Sequence, residues 1–268
     1  MLLPKHSLSF LAVTVTLVIL ASGCTSLTPM PPDVEIPPTS PEDPESPPSD
    51  TPTPPILSTL RGVIEFEGIG DFTPSATVHI GSHQVVSDDG QFTISGLEAG
   101  KYEIHIMADH FHTYKGSITI ASESVLLEVT MKMLYTPEEM DLFARLVYAE
   151  SAGEPAFGQI AVAASVLNRL ADSRYPDTLR DVIMQTVEVD GRVYYQYSPI
   201  LDGRIWELDP KTQPEAYATS MEAIFAAIAG EDPSQGATGF YNPSKVSPTS
   251  WVTQQPRTVR IGNHQFFL

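Results

Sequence analysis

The stretch Thr136-Pro137-Glu138-Glu139-Met140-Asp141-Leu142-Phe143-Ala144-Arg145-Leu146-Val147-Tyr148-Ala149-Glu150 decides how the second half of this chain folds. Thr136 is an N-cap residue, Pro137 suits the first helical position, and Glu139 three residues on closes a capping box. Phe143, Leu146 and Val147 fall on one apolar stripe, and Glu150 continues it at the i+7 position. The helix therefore carries a carboxylate on its buried side, and Gly153 offers a C-cap. Burial disfavours the ionised form, and the negative end of the helix dipole acts in the same direction. Both effects raise the pKa, as a general acid at neutral pH requires. Glu150 is thus the candidate acid/base, against the plainer reading of an exposed glutamate at a fraying helix end. Glu154 competes with it, but precedes Pro155 and reads as a charge at the next helix's N-terminus.

Downstream, residues 156–169 are apolar nearly all round and rich in small side chains, which places this helix at the centre of an α-domain ending at Asn168-Arg169. Asp177 to Met184 reads as a short helix. Asp190-Gly191, set between Val187/Val189 and Val193/Tyr195, is a hairpin signal. Gln196-Tyr197-Ser198-Pro199 follows, and Asp202-Gly203 marks a turn. Residues 214–229 form an amphipathic helix closed by Gly230, and a terminal hairpin turns at Gly262-Asn263.

Upstream, helical periodicity gives way to alternation. Val63 and Phe66, Val78 and Ile80, Phe92 and Ile94, Ile104 and Ile106, Ile118 and Ile120, and residues 127–131 mark short strands between turn signals such as Asp89-Gly90. About seven strands at this spacing read as a β-sandwich over residues 58–134. Five histidines lie here, and His110-x-His112 is the best metal candidate among them. No carboxylate or cysteine pattern accompanies it, so these histidines are expected to face solvent and no metal site is assigned.

Residues 28–56 hold half of the chain's 24 prolines, with Ser, Thr, Asp and Glu between them. Such a segment buries too little apolar surface to fold. In polyproline II it extends at about 3.1 Å per residue, so roughly thirty residues reach on the order of 90 Å. Ahead of it, Lys5, an apolar run at residues 8–20 and Leu20-Ala21-Ser22-Gly23-Cys24 read as a signal peptide over 1–23. Cys24 is the chain's one cysteine, which excludes an intramolecular disulfide and a cysteine-based zinc site.

The net charge of −18 is spread over the mature chain. Residues 25–57 carry six acids and no base, residues 58–134 ten acids against four bases, and residues 135–268 seventeen against ten. This argues against nucleic acid, whose phosphates require a basic footprint.

Three resemblances follow. Leu20-Ala21-Ser22-Gly23-Cys24 resembles the bacterial lipobox, with Ala21 where Leu is commoner. It implies lipidation at Cys24 and a membrane-anchored lipoprotein on the cell surface, with residues 24–57 as its linker. Asp89-Gly90-Gln91-Phe92 with Gly96-Leu97-Glu98-Ala99-Gly100-Lys101-Tyr102 resembles the carboxypeptidase regulatory-like (transthyretin-like) sandwich, a structural or binding module. The third covers nearly all of 138–268. Ala144 to Pro155 continues through Gly158-Gln159-Ile160-Ala161-Val162-Ala163-Ala164 and Val166-Leu167-Asn168-Arg169. Gln196-Tyr197-Ser198, Asp202-Gly203-Arg204-Ile205, Asp232-Pro233, Tyr241-Asn242-Pro243, Ser250-Trp251 and Ile261-Gly262-Asn263-His264 follow in order. Together they resemble the SleB family of cell-wall hydrolases, which includes spore cortex-lytic enzymes.

That resemblance implies a lysozyme-like, α-rich α+β domain over 135–268 and lytic transglycosylase activity on peptidoglycan glycan strands; it implies no cofactor, although some members of the family need calcium. The family's catalytic glutamate, in a Tyr-x-Glu segment, maps onto Glu150. Ser151 stands where Ala is common; it either bonds the acid or is coincidental. The stretch 186–195 is longer than usual, and Tyr197 replaces Phe. Such a hairpin borders the cleft if it lies beside Gln196. Ser151, Gln196, Tyr197, Ser198, Tyr241, Asn242 and His264 are candidates for the sugar groove, because hydroxyl, amide, phenol and imidazole groups bond sugar hydroxyls and acetamido groups; core packing is the alternative for each, and the favoured one for Trp251. A transglycosylase needs one carboxylic acid, because the muramoyl C6 hydroxyl is the nucleophile and a 1,6-anhydro end results. A water-using muramidase and a non-catalytic wall-binding lipoprotein remain as alternatives.

Overall fold

A computed structural model describes residues 57–268, which fall within one compact unit. The expected signal peptide, Cys24 and the proline-rich stretch 28–56 lie outside the described residues.

Seven strands come first: β1 (Ser58–Phe66), β2 (Thr77–Ile80), β3 (His83–Val86), β4 (Gln91–Leu97), β5 (Gly100–Met107), β6 (Tyr114–Ile120) and β7 (Ser124–Met131). They form a three-stranded sheet in the order β4-β1-β7 and a four-stranded sheet in the order β3-β2-β5-β6. β1 runs antiparallel to β4 but parallel to β7. Alternation sets which side chains meet between the sheets. Leu60, Ile64 and Phe66 of β1 enter the core with Val78, Ile80, Ile104 and Ile106 of the other sheet. Val63 is 39 % exposed, because the period of two that buries Ile64 and Phe66 turns it outward. His105 and His112 face solvent. His110 is half-buried, with Nδ1 2.7 Å from the Tyr135 hydroxyl, and burial lowers its pKa although Asp109 opposes this.

The helical part contains α1 (Pro137–Ser151), α2 (Ala156–Ala171), α3 (Leu179–Ile183), the hairpin β8 (Thr186–Val189) and β9 (Arg192–Tyr195), α4 (Ser198–Asp202) and α5 (Pro214–Ile228). It closes with β10 (Gly239–Tyr241), β11 (Arg257–Ile261) and β12 (His264–Phe267), a sheet in the order β10-β12-β11. The capping box forms as read: Thr136 accepts from the Glu139 amide, and the Glu139 carboxylate accepts from the Thr136 amide. Asp190 and Gly191 both have positive φ, 52° and 71°, the backbone that a type I′ hairpin turn demands. Two boundaries differ from expectation. Ala152, still right-handed, caps α1 in place of Gly153. α2 runs past Asn168-Arg169 to Ala171, because both side chains bond the loop at 232–238 and leave the backbone helical.

Strands give way to helices near residue 135, yet the apolar core does not stop there. One buried cluster runs from Leu60 and Ile80 through Met140, Phe143 and Val166 to Ile224 and Ile228. Phe72, between β1 and β2, packs against Phe225 of α5 with ring centroids 6.2 Å apart. Met133 and Tyr135 of the connection pack on the same cluster.

Candidate active site

α1 positions the key carboxyl. Met140, Phe143, Ala144 and Val147 bury one face of the helix, and Glu150 leaves the helix beside that face in its last turn. It opens into a cavity of about 540 Å³ between α1, the β9–α4 junction, the loop at 240–252 and the turn before β12. Gln196, Tyr197, Ser198, Tyr241, Asn242 and His264 line the same cavity with Glu154, Arg169, Tyr195, Arg204, Lys245 and Asn263. Six of the seven expected groove residues are thus brought around Glu150.

Ser151 is not brought there. It is 1 % exposed, and its hydroxyl donates to the Val147 carbonyl at 2.6 Å, one turn back in its own helix. One residue beyond Glu150 is a rotation of about 100° around a helix, which carries Ser151 to the core side. Trp251 also departs from expectation. It is 63 % exposed, standing edge-on to Phe267 with centroids 6.0 Å apart, because Ser250 and Val252 face the cavity in its place.

Burial is the largest influence on Glu150 and carries its pKa up to about 7; Arg204 opposes, Asp202 adds to the rise, and Arg169 and Lys245 oppose more weakly. Arg204 is held in place on every side. Its Nε pairs with Asp202 at 2.9 Å, Nη1 donates to the Ala149 carbonyl at 3.1 Å, and Nη2 reaches the Ser198 hydroxyl at 3.3 Å. The Asp202-Gly203-Arg204 turn that allows this needs Gly203 at φ 82°, a left-handed conformation natural to glycine. Asp202 is held below the ordinary carboxylate range chiefly by its hydrogen bonds with Arg204.

Glu154 is occupied differently from its expected role as a helix-end charge. Its Oε2 accepts from the Asn263 amide and its Oε1 from the Asn263 side chain, both at 2.9 Å. Desolvation pushes its pKa up, but the two bonds from Asn263 outweigh it and the net direction is down.

Among the residues that line this cavity, three buried polar atoms lack a protein partner: Tyr197 Oη, Arg169 Nη1 and His264 Nδ1. Tyr197 is 3 % exposed, Arg169 7 % and His264 8 %. The Arg169 guanidinium lies 4.9 Å from the centre of the Tyr197 ring and 5.1 Å from that of Tyr175. Burial above all raises the Tyr197 phenol to about 12, so it stays a hydroxyl. Burial also lowers His264, with Glu154 opposing. Both groups can therefore serve as neutral donors and acceptors. Buried polar atoms are ordinarily satisfied, and three unsatisfied ones on residues lining one cavity are the mark of a polar site.

Sequence reading passed over Arg169, Arg204, Lys245 and Asn263 as site residues. Arg169, Arg204 and Asn263 sit inside motifs already quoted, where a basic or amide side chain beside a candidate acid was the available signal. Lys245 follows Tyr241-Asn242-Pro243 in an exposed loop and carried none. A larger cavity of about 630 Å³ lies where Asp109, His110 and Tyr135 meet α2; none of the orphaned atoms lines it.

Residues 153–267 match the family described as Cell Wall Hydrolase, a span that holds the cleft walls and begins just beyond Glu150. Residues 153–267 thus carry a cell-wall hydrolase domain of the SleB type. It is similar to the spore cortex-lytic enzyme of Halalkalibacterium halodurans, 34 % identical over 132 residues, which covers 49 % of this chain and 35 % of that protein. It is also similar to the spore cortex-lytic enzyme of Bacillus subtilis, 33 % identical over 49 % of this chain and 38 % of that protein. The chain thus spans well under half the length of these relatives. The catalytic domain of the germination-specific lytic transglycosylase SleB from Bacillus anthracis is 31 % identical, covering 50 % of this chain and 98 % of that one, with a TM-score of 0.41.

Proposed function

We propose that this chain cleaves the β-1,4 bond between N-acetylmuramic acid and N-acetylglucosamine in peptidoglycan, with Glu150 as the acid and then the base. Glu150 protonates the glycosidic oxygen. It then removes the proton from the muramoyl C6 hydroxyl as that oxygen attacks C1, and a 1,6-anhydro end forms. The nucleophile belongs to the substrate, so proximity replaces an enzyme carboxylate. The observation that carries this reading is the division of labour among carboxyls: Glu150 is held near neutral, while Asp202 is paired with Arg204 and Glu154 is bonded by Asn263. Gln196, Tyr197, Ser198, Tyr241, Asn242 and His264 then bind sugar hydroxyls and acetamido groups.

A water-using muramidase is the second reading, because Glu154 lines the same cavity as an ionised carboxylate, and a hydrolase needs such a base. Mass spectrometry of digested peptidoglycan separates the two. Anhydromuramic ends support the transglycosylase; reducing muramic ends retire it in favour of the muramidase.

In this reading the helical part is a lysozyme-like domain and the two sheets are a carboxypeptidase regulatory-like sandwich over residues 58–134. Lipidation at Cys24 and the linker 24–57 would hold both outside the membrane at the wall. Globomycin-sensitive processing of the full chain, with loss of membrane association in Cys24→Ser, tests the anchor.

A further inference from the structure

The charges around the cleft run against the rest of the molecule. The chain carries a net charge of −18, yet Arg169, Arg204 and Lys245 all act on Glu150. Two of the three cations are held in the protein interior or in an ion pair, although Arg169 Nη1 keeps no partner. Arg204 is bound to Asp202, the Ala149 carbonyl and Ser198. Arg169 is buried, with Nε on the Thr238 carbonyl and its guanidinium against two tyrosine rings. Lys245 differs. It is exposed at the cleft lip and forms no ion pair among the described residues, although Glu150, Glu154 and His264 all feel its charge.

The loop that carries Lys245 is built. Asn242 Oδ1 accepts from the Ser244 amide at 2.9 Å, and the Lys245 amide donates to the Asn242 carbonyl at 3.0 Å. The ammonium therefore leaves a fixed turn at the rim of a cavity whose own carboxylates do not claim it.

Resting on the transglycosylase reading, we propose that Lys245 is a specificity residue that pairs with a carboxylate carried by the muramoyl residue of the glycan strand. Muramic acid supplies one by its chemistry: the lactyl group on C3 ends in a carboxylate when no peptide is attached, and an attached stem peptide carries others. A strand whose lactyl carboxyl is closed into a lactam offers none. The pairing also serves the acid. A bare ammonium at the lip lowers the Glu150 pKa, against its role as proton donor. A bound carboxylate neutralises that charge, so the anionic strand favours the protonated form.

The test measures binding by Glu150→Gln protein, which holds strands uncleaved, to three probes: peptide-free strands with the lactyl carboxylate, peptide-bearing strands, and strands with that carboxyl amidated. The readout is the ratio of affinity for each anionic probe to that for the amidated one, which cancels general damage to the cleft. The ratio is expected at about ten in the Lys245-containing protein, the scale of one charge-assisted hydrogen bond. It should fall toward one in Lys245→Gln, survive in Lys245→Arg, and shrink with added salt. Preference for the peptide-free probe assigns the lactyl group; preference for the peptide-bearing probe assigns the stem. No preference in the Lys245-containing protein, or one unchanged in Lys245→Gln, overturns the proposal. Cleavage by the unmutated chain is scored separately, so loss of the transglycosylase reading is distinguishable from loss of this one.

Discussion

Glu154 and Asn263 are 109 residues apart in the chain and joined by two hydrogen bonds of 2.9 Å, one to the backbone amide and one to the side chain of Asn263. This clasp fixes the turn between β11 and β12 against the start of α2, and so fixes the wall from which His264 faces Glu150. Glu154→Gln leaves one acceptor oxygen and opposes its amide to a donor. It is expected to cost about 1 kcal/mol, measured by urea unfolding at neutral pH. The folded pKa is depressed below 4.5, so the difference between the two proteins is present above that pH and disappears as pH falls through the folded value. Glycan cleavage should survive within about tenfold, whereas Glu150→Gln should lose on the order of 100-fold or more. Equal losses in the two variants would favour the muramidase.

Gly262 is required by the same clasp. Its φ is +55°, and a Cβ there would lie 1.9 Å from Glu154 Oε2. Gly262→Ala is expected to cost about 1–3 kcal/mol. In a Glu154→Ala background the clash with the carboxylate vanishes, and the backbone strain and a 3.1 Å approach to Pro155 Cδ remain. The double variant should therefore cost less than the sum of the two single variants, and additive effects would refute the contact.

Little of this clasp was legible in the sequence. Capping at Thr136, the hairpin at Asp190-Gly191 and the placement of Glu150 are local, governed by spacing within a few residues, and they read correctly. The bond from Glu154 to Asn263 depends on a chain reversal across most of the domain, so the nearer feature, Pro155 and a helix start, gave the wrong partner. Ser151 failed for a related reason: adjacency in sequence to a catalytic candidate says nothing about which side of a helix a residue takes. The cavity residues Gln196 to Ser198, Tyr241, Asn242 and His264 were reached through motif resemblance, and no periodicity would have gathered them. The continuity of the core across residue 135 was invisible because each part satisfies its own pattern.

That continuity is testable at Phe72 and Phe225, whose rings sit 6.2 Å apart. Phe72 is only half-buried, so Phe72→Ala is expected to cost about 2 kcal/mol, below the range for fully buried phenylalanine. Hydrogen exchange is the sharper measure. Amides of α5 and of β1 should both lose protection, because the two parts share one cluster. Loss confined to the strands would mean that the sheets and the helices unfold independently.

The pH profile of cleavage follows from the groups around Glu150. With a pKa of about 7, the acid is lost as pH rises through neutrality, and kcat/KM should fall about tenfold per unit on the alkaline side. Arg204 lowers this pKa and Asp202 raises it, so Arg204→Gln should move the alkaline limb to higher pH and Asp202→Asn to lower pH. Both variants break the same ion pair of 2.9 Å, so a purely structural effect would move both profiles the same way. Stability must follow the same sign. The Glu150 pKa is raised on folding from 4.5, so the unfolded chain ionises first and the native state loses stability between about pH 4.5 and 7, on the order of 3 kcal/mol. Glu150→Gln, which cannot ionise, should therefore match the unmutated protein below pH 4.5 and exceed it above pH 7. Equal unfolding free energies for the two proteins at pH 8, measured relative to pH 4, would show that the Glu150 carboxyl is solvated and remove the basis for its role as the acid.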